Sequence, residues 1–177
     1  MRITISGPPG SGKSTACSKL SERLGLEAVI FGKIFRELAA EKNLSLGELG
    51  IIAEKDPSID KMIDSRILEI AKANDDIILE SRLSAFMCAR NDIKAFKIYL
   101  DASPEVRMAR IGVREGETVE EACAKTEDRQ RSEAKRYKMY FDIDIDDRSV
   151  YDLVINTDNL DPDQVVETII DAVSGFN

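Results

Sequence analysis

Residues 7–14 read Gly7-Pro8-Pro9-Gly10-Ser11-Gly12-Lys13-Ser14 and match the pattern G-x-x-x-x-G-K-[ST]. An apolar strand-like segment, Ile3 to Ile5, precedes this pattern, and a segment of helical periodicity, Lys13 to Leu24, follows it. Glycines allow backbone angles that turn consecutive N–H groups toward one point, and the start of a helix adds its positive dipole. The segment therefore predicts a loop that cradles polyphosphate between a strand and a helix.

The loop predicts which residues hold a nucleoside triphosphate. We expect Lys13 to reach the β- and γ-phosphates, the Ser14 hydroxyl to coordinate Mg²⁺, and Thr15 to add a phosphate contact from the first turn of the helix. ATP and Mg²⁺ are the expected ligands. The ATP-binding residues predicted here are Gly7, Pro8, Pro9, Gly10, Ser11, Gly12, Lys13, Ser14 and Thr15.

Short apolar segments alternate with segments of helical periodicity along the chain, which predicts an α/β fold with a five-stranded parallel sheet flanked by helices. The predicted strands are Ile3–Ile5, Ala28–Phe31, Ile77–Leu79, Phe96–Leu100 and Leu153–Ile155. About 45 residues separate the second strand from the third and about 50 separate the fourth from the fifth, more than a crossover needs. Each long connection is expected to carry an insertion within a single domain, 1–177.

Local signals mark the helix boundaries. Ser45 with Glu48 and Thr118 with Glu121 match capping boxes, and Gly25 is expected to end the first helix. In residues 58–73, apolar side chains recur at helical spacing and predict a helix whose stripe packs into the core. The residues of this stripe are Ile59, Met62, Ile63, Ile67, Ile70 and Ala71.

Composition excludes several classes of protein. The 177 residues carry 25 Lys and Arg against 33 Asp and Glu, a net charge of -8, which argues against a broad basic surface for nucleic acid. No apolar run approaches the roughly 20 residues that span a membrane, and the start lacks the features of a signal peptide, so we expect a cytoplasmic protein. Without histidine, any chemistry must depend on carboxylates, Lys, Arg or the backbone.

A phosphate-binding loop alone does not distinguish a small-molecule kinase from a GTPase switch or an ATPase motor. The chain has no Asn-Lys-x-Asp segment to read guanine, and the strand that ends at Glu80 offers one carboxylate where a motor is expected to carry an Asp-Glu pair. Nine Lys and Arg lie between Arg107 and Lys138, which suggests a confined anion site. Phosphoryl transfer to a small anionic acceptor is favoured.

The chain resembles the nucleoside monophosphate kinases along nearly its whole length, and most closely the archaeal type of cytidylate kinase. The matching segments are Ile3–Thr15, Gly32–Ala39, Leu79–Leu83, Ser132–Tyr137, Ile143–Asp147 and Tyr151–Thr157. The resemblance implies a P-loop nucleoside kinase fold with a monophosphate-binding insertion, about 32–74, and a lid, about 112–148. It also implies transfer of the γ-phosphoryl group of ATP to CMP or dCMP. We expect the protein to act as a monomer.

The resemblance assigns further residues. Arg36 and Arg82 are expected to bind the acceptor phosphate, Arg110 to approach the transferred phosphoryl group, and Asn156 and Thr157 to lie near the adenine of ATP. Two departures from the family pattern, Lys33 and Ser81, leave the shape of the acceptor pocket open. A solvated surface charge remains the alternative for Arg36, and a structural ion pair for Arg82.

A helix in the lid carries the family pattern R-x-x-x-D-x-x-R on Arg129, Glu133 and Arg136, with Glu in place of Asp. At about 100° per residue, these side chains fall within about 60° of one another on one helix face. We expect the two arginines to be catalytic and Glu133 to contact the acceptor nucleoside or to orient them. An ordinary ion pair between Glu133 and Arg129 is the alternative, and Arg107 and Arg114 stay open as surface or lid charges.

Glu80 is the candidate to hold Mg²⁺ through water, with Asp101 second and a structural carboxylate as the alternative. No general base is required, because the acceptor phosphate is itself an anionic nucleophile. Other acceptors, namely AMP, UMP or a shikimate-like molecule, remain possible from these residues. The alternative of another class is an ATP-dependent switch or assembly factor with a macromolecular partner.

Overall fold

Five strands form one fully parallel sheet, as the alternating pattern predicts. They are β1 (Arg2–Ser6), β2 (Glu27–Ile30), β3 (Ile77–Glu80), β4 (Phe96–Asp101) and β5 (Leu153–Asn156). The structure, a computed structural model, describes residues 1–176. The sheet order is β2-β3-β1-β4-β5. Connections from β1 and from β3 therefore leave in opposite directions, which opens a crevice at the carboxyl ends of the strands.

The described residues also form eight helices. They are α1 (Lys13–Leu24), α2 (Phe31–Glu41), α3 (Leu46–Ala53), α4 (Ser58–Ala73), α5 (Ser84–Arg90), α6 (Pro104–Glu115), α7 (Val119–Phe141) and α8 (Pro162–Val173). The β2–β3 connection contains α2 to α4, and the β4–β5 connection contains α6 and α7. The predicted capping boxes at Ser45 and Thr118 are formed, and Gly25 ends α1 with a φ of 66°.

Apolar side chains fill both faces of the sheet because successive residues of a strand point to opposite sides. Ile78 of β3 packs with α1 and α8, whereas Ile77 and Leu79 on either side of it pack with α4 and α5. A sheet covered on both faces explains why the strands read as continuous apolar runs.

Two local predictions were wrong. Phe31 does not end the second strand: it begins α2, and its buried ring packs with Ile67 in the core below the sheet. Met62 is 52% exposed instead of buried. It lies about 140° around α4 from Ile67, so that helix turns Met62 toward solvent while Ile59, Ile67 and Ala71 are buried.

Candidate active site

The loop of residues 7–14 lies at the carboxyl ends of the strands, between β1 and α1. Gly7, Gly10 and Gly12 adopt φ values of 148°, 82° and 92°, a region that favours glycine. A Cβ on Gly7 would lie 2.1 Å from the carbonyl oxygen of Leu100 in β4. The sequence motif therefore forms a tight loop pressed against the neighbouring strand.

Lys13 begins α1, and its Nζ donates a hydrogen bond to the Pro8 carbonyl oxygen over 2.8 Å, across the mouth of the loop. Burial lowers the pKa of this half-buried ammonium to about 8, although Glu80 acts in the opposite direction and Arg82 adds to the lowering. A bound polyphosphate would add further negative charge beside this lysine and so favour its charged form. A role of Lys13 in binding phosphate stays a prediction.

Ser14 and Glu80 bring two oxygens together beside the loop. The Ser14 hydroxyl donates to Glu80 Oε2 over 3.4 Å, and Glu80 is 5% exposed at the end of β3. Hydroxyl and carboxylate oxygens suit Mg²⁺, which takes its other ligands from water and phosphate. Asp101, the second candidate for Mg²⁺, lies at the end of β4, where its Oδ1 accepts a hydrogen bond from the Ala102 amide over 2.9 Å.

A cavity of about 420 Å³ opens beside the loop and extends to α8. Arg110 of α6 forms one wall, where its guanidinium donates to the Gly10 carbonyl over 3.3 Å and to the Thr157 carbonyl over 2.8 Å. The Thr157 hydroxyl also lies 3.2 Å from the Ser11 carbonyl oxygen. Arg110 and Thr157 thus attach the loop after β5 to the phosphate-binding loop.

Arg82 follows β3 and points toward both the loop and α7. Its Nη1 donates to the Gly7 carbonyl oxygen over 3.1 Å, and its Nε lies 3.6 Å from Glu133 Oε2. Among residues 1–176, the ion pair of Glu133 is made with Arg82 and not with Arg129 one turn away. An arginine fixed beside the loop in this way suits a second phosphate, which it can grip with two N–H groups.

Arg129 lies on the same face of α7 as Glu133 and is half-buried. Burial lowers the pKa of its guanidinium, Glu133 opposes this, and the positive charges of Arg36 and Arg114 lower it further. Arg36 itself is exposed on α2, where its Nε donates to the Gly32 carbonyl oxygen over 3.1 Å. The two long connections thus direct several arginines toward the same crevice.

The sequence matches the model of the cytidylate kinase-like family over residues 2–159. The chain belongs to this family. A protein named cytidylate kinase from Halobacterium salinarum is 47% identical over 176 residues, which cover 99% of this chain and 91% of the relative. Another of that name, from Methanocorpusculum labreanum, is 45% identical over 176 residues, with 99% and 98% coverage.

Solved structures with similar folds include a shikimate kinase from Bacteroides thetaiotaomicron, with a TM-score of 0.63, 14% identity and 98% coverage of both chains. An uncharacterized protein from Eubacterium ventriosum superposes with a TM-score of 0.74 at 18% identity, covering 99% of each chain. At such identities the likeness concerns the fold alone. The cytidylate kinase-like chain therefore has the P-loop kinase fold that its motif predicts.

In this cytidylate kinase-like protein, Arg136 lies deeper than the other charged residues of α7. Its Nε donates to Asp60 Oδ2 of α4 over 2.7 Å, and its Nη1 donates to Ser132 Oγ over 2.8 Å. Both partners of the ion pair are almost fully buried, with side-chain exposures of 3% and 4%. The pair joins α7 to the β2–β3 connection, and a catalytic role for Arg136 stays a prediction.

The structure adds residues that sequence reasoning did not assign to the site. Leu160, Pro162 and Val165 line the 420 Å³ cavity, and so does Arg114, whose role was open. Asn156 does not line the cavity, and its Oδ1 accepts from the Asp158 amide over 2.9 Å. Apolar residues at the start of an amphipathic helix carry no sequence signal of ligand binding, so sequence reasoning could not assign them to the site.

No helix within residues 1–176 combines the length and apolarity of a membrane span.

Proposed function

We propose that this cytidylate kinase-like protein transfers the γ-phosphoryl group of ATP to CMP or dCMP and releases ADP and the nucleoside diphosphate. The observation that carries the proposal is the position of Arg82. Its guanidinium lies against the Gly7 carbonyl of the phosphate-binding loop, so a phosphate that it binds is next to the donor. Family membership favours a cytidine monophosphate as that second ligand.

The donor triphosphate binds in the loop of residues 7–15, with Lys13 on its terminal phosphates. The cavity beside Arg110 and Thr157 extends from this loop and accepts the adenine, which packs against Leu160 and Pro162. Ser14 directly and Glu80 through water would hold Mg²⁺, which would neutralise negative charge on the donor phosphates. Arg110, which contacts the Gly10 carbonyl of the loop, approaches the transferred group.

The acceptor phosphate binds to Arg82 and Arg36, and Glu133 contacts the nucleoside or holds the arginines in place. The acceptor phosphate attacks as an anion, so these residues align the reactants and neutralise charge instead of removing a proton. The absence of histidine is therefore compatible with the reaction. Arg129 acts as a catalytic arginine of α7, and the same role for Arg136 requires its guanidinium to leave the buried ion pair with Asp60.

The two long connections act as moving parts of the reaction. Residues 32–74 form the monophosphate-binding insertion and residues 112–148 the lid. When the lid closes, it brings Arg129 toward the phosphates and excludes water, which would otherwise hydrolyse ATP.

The protein acts on nucleotides as a cytoplasmic monomer. Its three unpaired cysteine thiols fit a reducing compartment.

A panel of acceptors tests the proposal directly. ADP formation from ATP and Mg²⁺ is measured with CMP, dCMP, UMP, AMP or shikimate, and without acceptor. We expect kcat/KM to be highest for CMP or dCMP. A higher value for another acceptor would reassign the substrate, whereas ATP hydrolysis that no acceptor stimulates would favour a nucleotide-dependent switch.

A further inference from the structure

Arg107 is a buried cation that has no part in the reaction described above. It lies in the second turn of α6 and is 9% exposed. Its Nε donates to the Ala102 carbonyl over 3.2 Å, and its Nη1 donates to the Pro9 carbonyl over 3.2 Å and to Gln130 Oε1 over 2.9 Å. All three acceptors are neutral oxygens, so these bonds satisfy the Nε and Nη1 donors of the guanidinium without neutralising its charge.

The phosphate-binding loop packs directly on this residue. A Cβ on Gly10 would lie 2.7 Å from the Arg107 carbonyl oxygen and 2.9 Å from its Cβ, so only glycine allows this approach. The contact fixes the loop from its backbone side, independently of the side-chain hydrogen bonds. Arg107 and the Pro9–Gly10 peptide therefore form one packed unit.

The bond to Pro9 sets the direction of the next N–H group. A trans peptide is planar, and its C=O and N–H point in opposite directions. Because Arg107 holds the Pro9 carbonyl toward α6, the Gly10 N–H points away from α6. Arg107 does not line the donor cavity, so it acts on phosphate through the loop and not by contact.

Gln130 connects the same guanidinium to α7, the helix that carries Arg129 and Glu133. One side chain thus bonds both the loop proposed to bind the donor and the helix proposed to move with the lid. Loss of either bond leaves the Pro9–Gly10 peptide less constrained.

We infer that Arg107 is a positioning residue that sets the Pro9–Gly10 peptide for polyphosphate binding and ties it to α7 through Gln130. The inference rests on the proposed function only in taking a polyphosphate as the ligand of the loop. It requires neither turnover nor a particular acceptor.

The test measures binding of inorganic tripolyphosphate and of ATP by calorimetry, without acceptor, to the full chain and its variants. Arg107→Met should weaken tripolyphosphate binding by about tenfold or more, the size of one lost charge-assisted hydrogen bond. Gln130→Leu, which keeps the bond to Pro9, should weaken it by about threefold. The Arg107→Met/Gln130→Leu double variant should bind no more weakly than Arg107→Met, because both act through one guanidinium.

Arg131→Met is the matched control, since Arg131 is exposed on α7 beside Gln130, and it should bind as the wild type does. Arg107→Lys separates charge from geometry. We expect Arg107→Lys to bind tripolyphosphate at least about threefold more weakly than wild type, because an ammonium lacks the planar, forked donors of a guanidinium. If Arg107→Lys binds tripolyphosphate as tightly as wild type, charge alone accounts for the loss of binding in Arg107→Met, and the inference is overturned.

Thermal unfolding of each variant distinguishes positioning from stability. A folded Arg107→Met that binds tripolyphosphate within about twofold of wild type, with only a lower Tm, would also overturn the inference. If Arg107→Met does not fold, Gln130→Leu takes its place in the test. Binding of tripolyphosphate by Gln130→Leu that equals that of wild type would then overturn the inference. Failure of every acceptor in the kinase assay would refute the proposed function but leave this binding test intact.

Discussion

Arg82 Nε and Glu133 Oε2 lie 3.6 Å apart and join the end of β3 to α7 in front of the phosphate-binding loop. Glu133 Oε2 is buried and has no hydrogen-bond partner among the described residues. If Arg82 binds the acceptor phosphate as proposed, this carboxylate lies beside that phosphate, where we expect it to contact the nucleoside or to orient the guanidinium.

Glu133→Gln removes the charge and keeps the shape of the side chain. We expect the acceptor KM to rise by about fivefold to tenfold, because Arg82 loses the carboxylate of its ion pair and Arg129 loses a nearby negative charge. The KM for ATP should stay within about twofold of wild type. Steady-state kinetics with CMP check this, and Glu127→Gln, an exposed change on α7, serves as control. An equal rise in both KM values would contradict a role on the acceptor side.

Arg36→Ala tests the other arginine assigned to the acceptor phosphate. The residue is exposed, and among residues 1–176 its side chain bonds only to the Gly32 carbonyl one turn away, so its removal should leave the fold unchanged. The acceptor KM should rise about tenfold or more through loss of a charge-assisted contact, with kcat less affected. Arg66→Ala, an exposed arginine on α4 paired with Glu69, should change neither constant. An unchanged acceptor KM in Arg36→Ala would mean that the acceptor site is misplaced.

Lys13→Ala should abolish turnover, and its effect on stability should depend on pH. Burial lowers the pKa of Lys13 from 10.5 to about 8 in the folded protein. Between these values the unfolded chain binds a proton that the folded chain lacks, so this group makes the free energy of unfolding rise as pH increases from about 8 to 10.5. Urea titrations across this range should show that the free energy of unfolding of wild type rises with pH relative to that of Lys13→Ala, since the raised pKa of Cys17 acts in the opposite direction in both proteins. Parallel curves would contradict the lowered pKa.

The buried pair of Asp60 and Arg136 should dominate the contact between α4 and α7. Asp60→Ala leaves a buried guanidinium without its carboxylate, which typically costs about 3 to 5 kcal/mol in the free energy of unfolding. Asp60→Leu combined with Arg136→Met should recover most of that loss, since no unpaired charge remains. Urea unfolding measures both, and a double variant as unstable as Asp60→Ala would contradict this account.

Gly7→Ala should disrupt the phosphate-binding loop because the new Cβ would lie 2.1 Å from a backbone oxygen of β4. Gly116→Ala is the matched control: its φ of 69° also favours glycine, but a Cβ there meets no atom within 4 Å. We expect a loss of about 1 kcal/mol for Gly116→Ala and more than about 3 kcal/mol for Gly7→Ala, which should also lose ATP binding. Similar losses in the two variants would contradict a steric role for Gly7.

Sequence reasoning was most accurate where a signal is local. The bounds of α1, its end at Gly25 and the capping boxes at Ser45 and Thr118 depend on residues within one or two turns, and they are confirmed. It was least accurate at Phe31 and Met62, where side-chain burial depends on which neighbouring element covers each position.

The sequence by itself determined the phosphate-binding loop, the α/β class and the five strands, because glycine spacing and apolar periodicity act over a few residues. Only the tertiary structure decided that Glu133 pairs with Arg82 instead of Arg129, that Arg136 is held by Asp60, and that α8 lines the donor cavity. The partners of each ion pair are about 50 and 76 residues apart in the chain. The packing of whole helices against the sheet sets those distances, and no short pattern in the sequence encodes it.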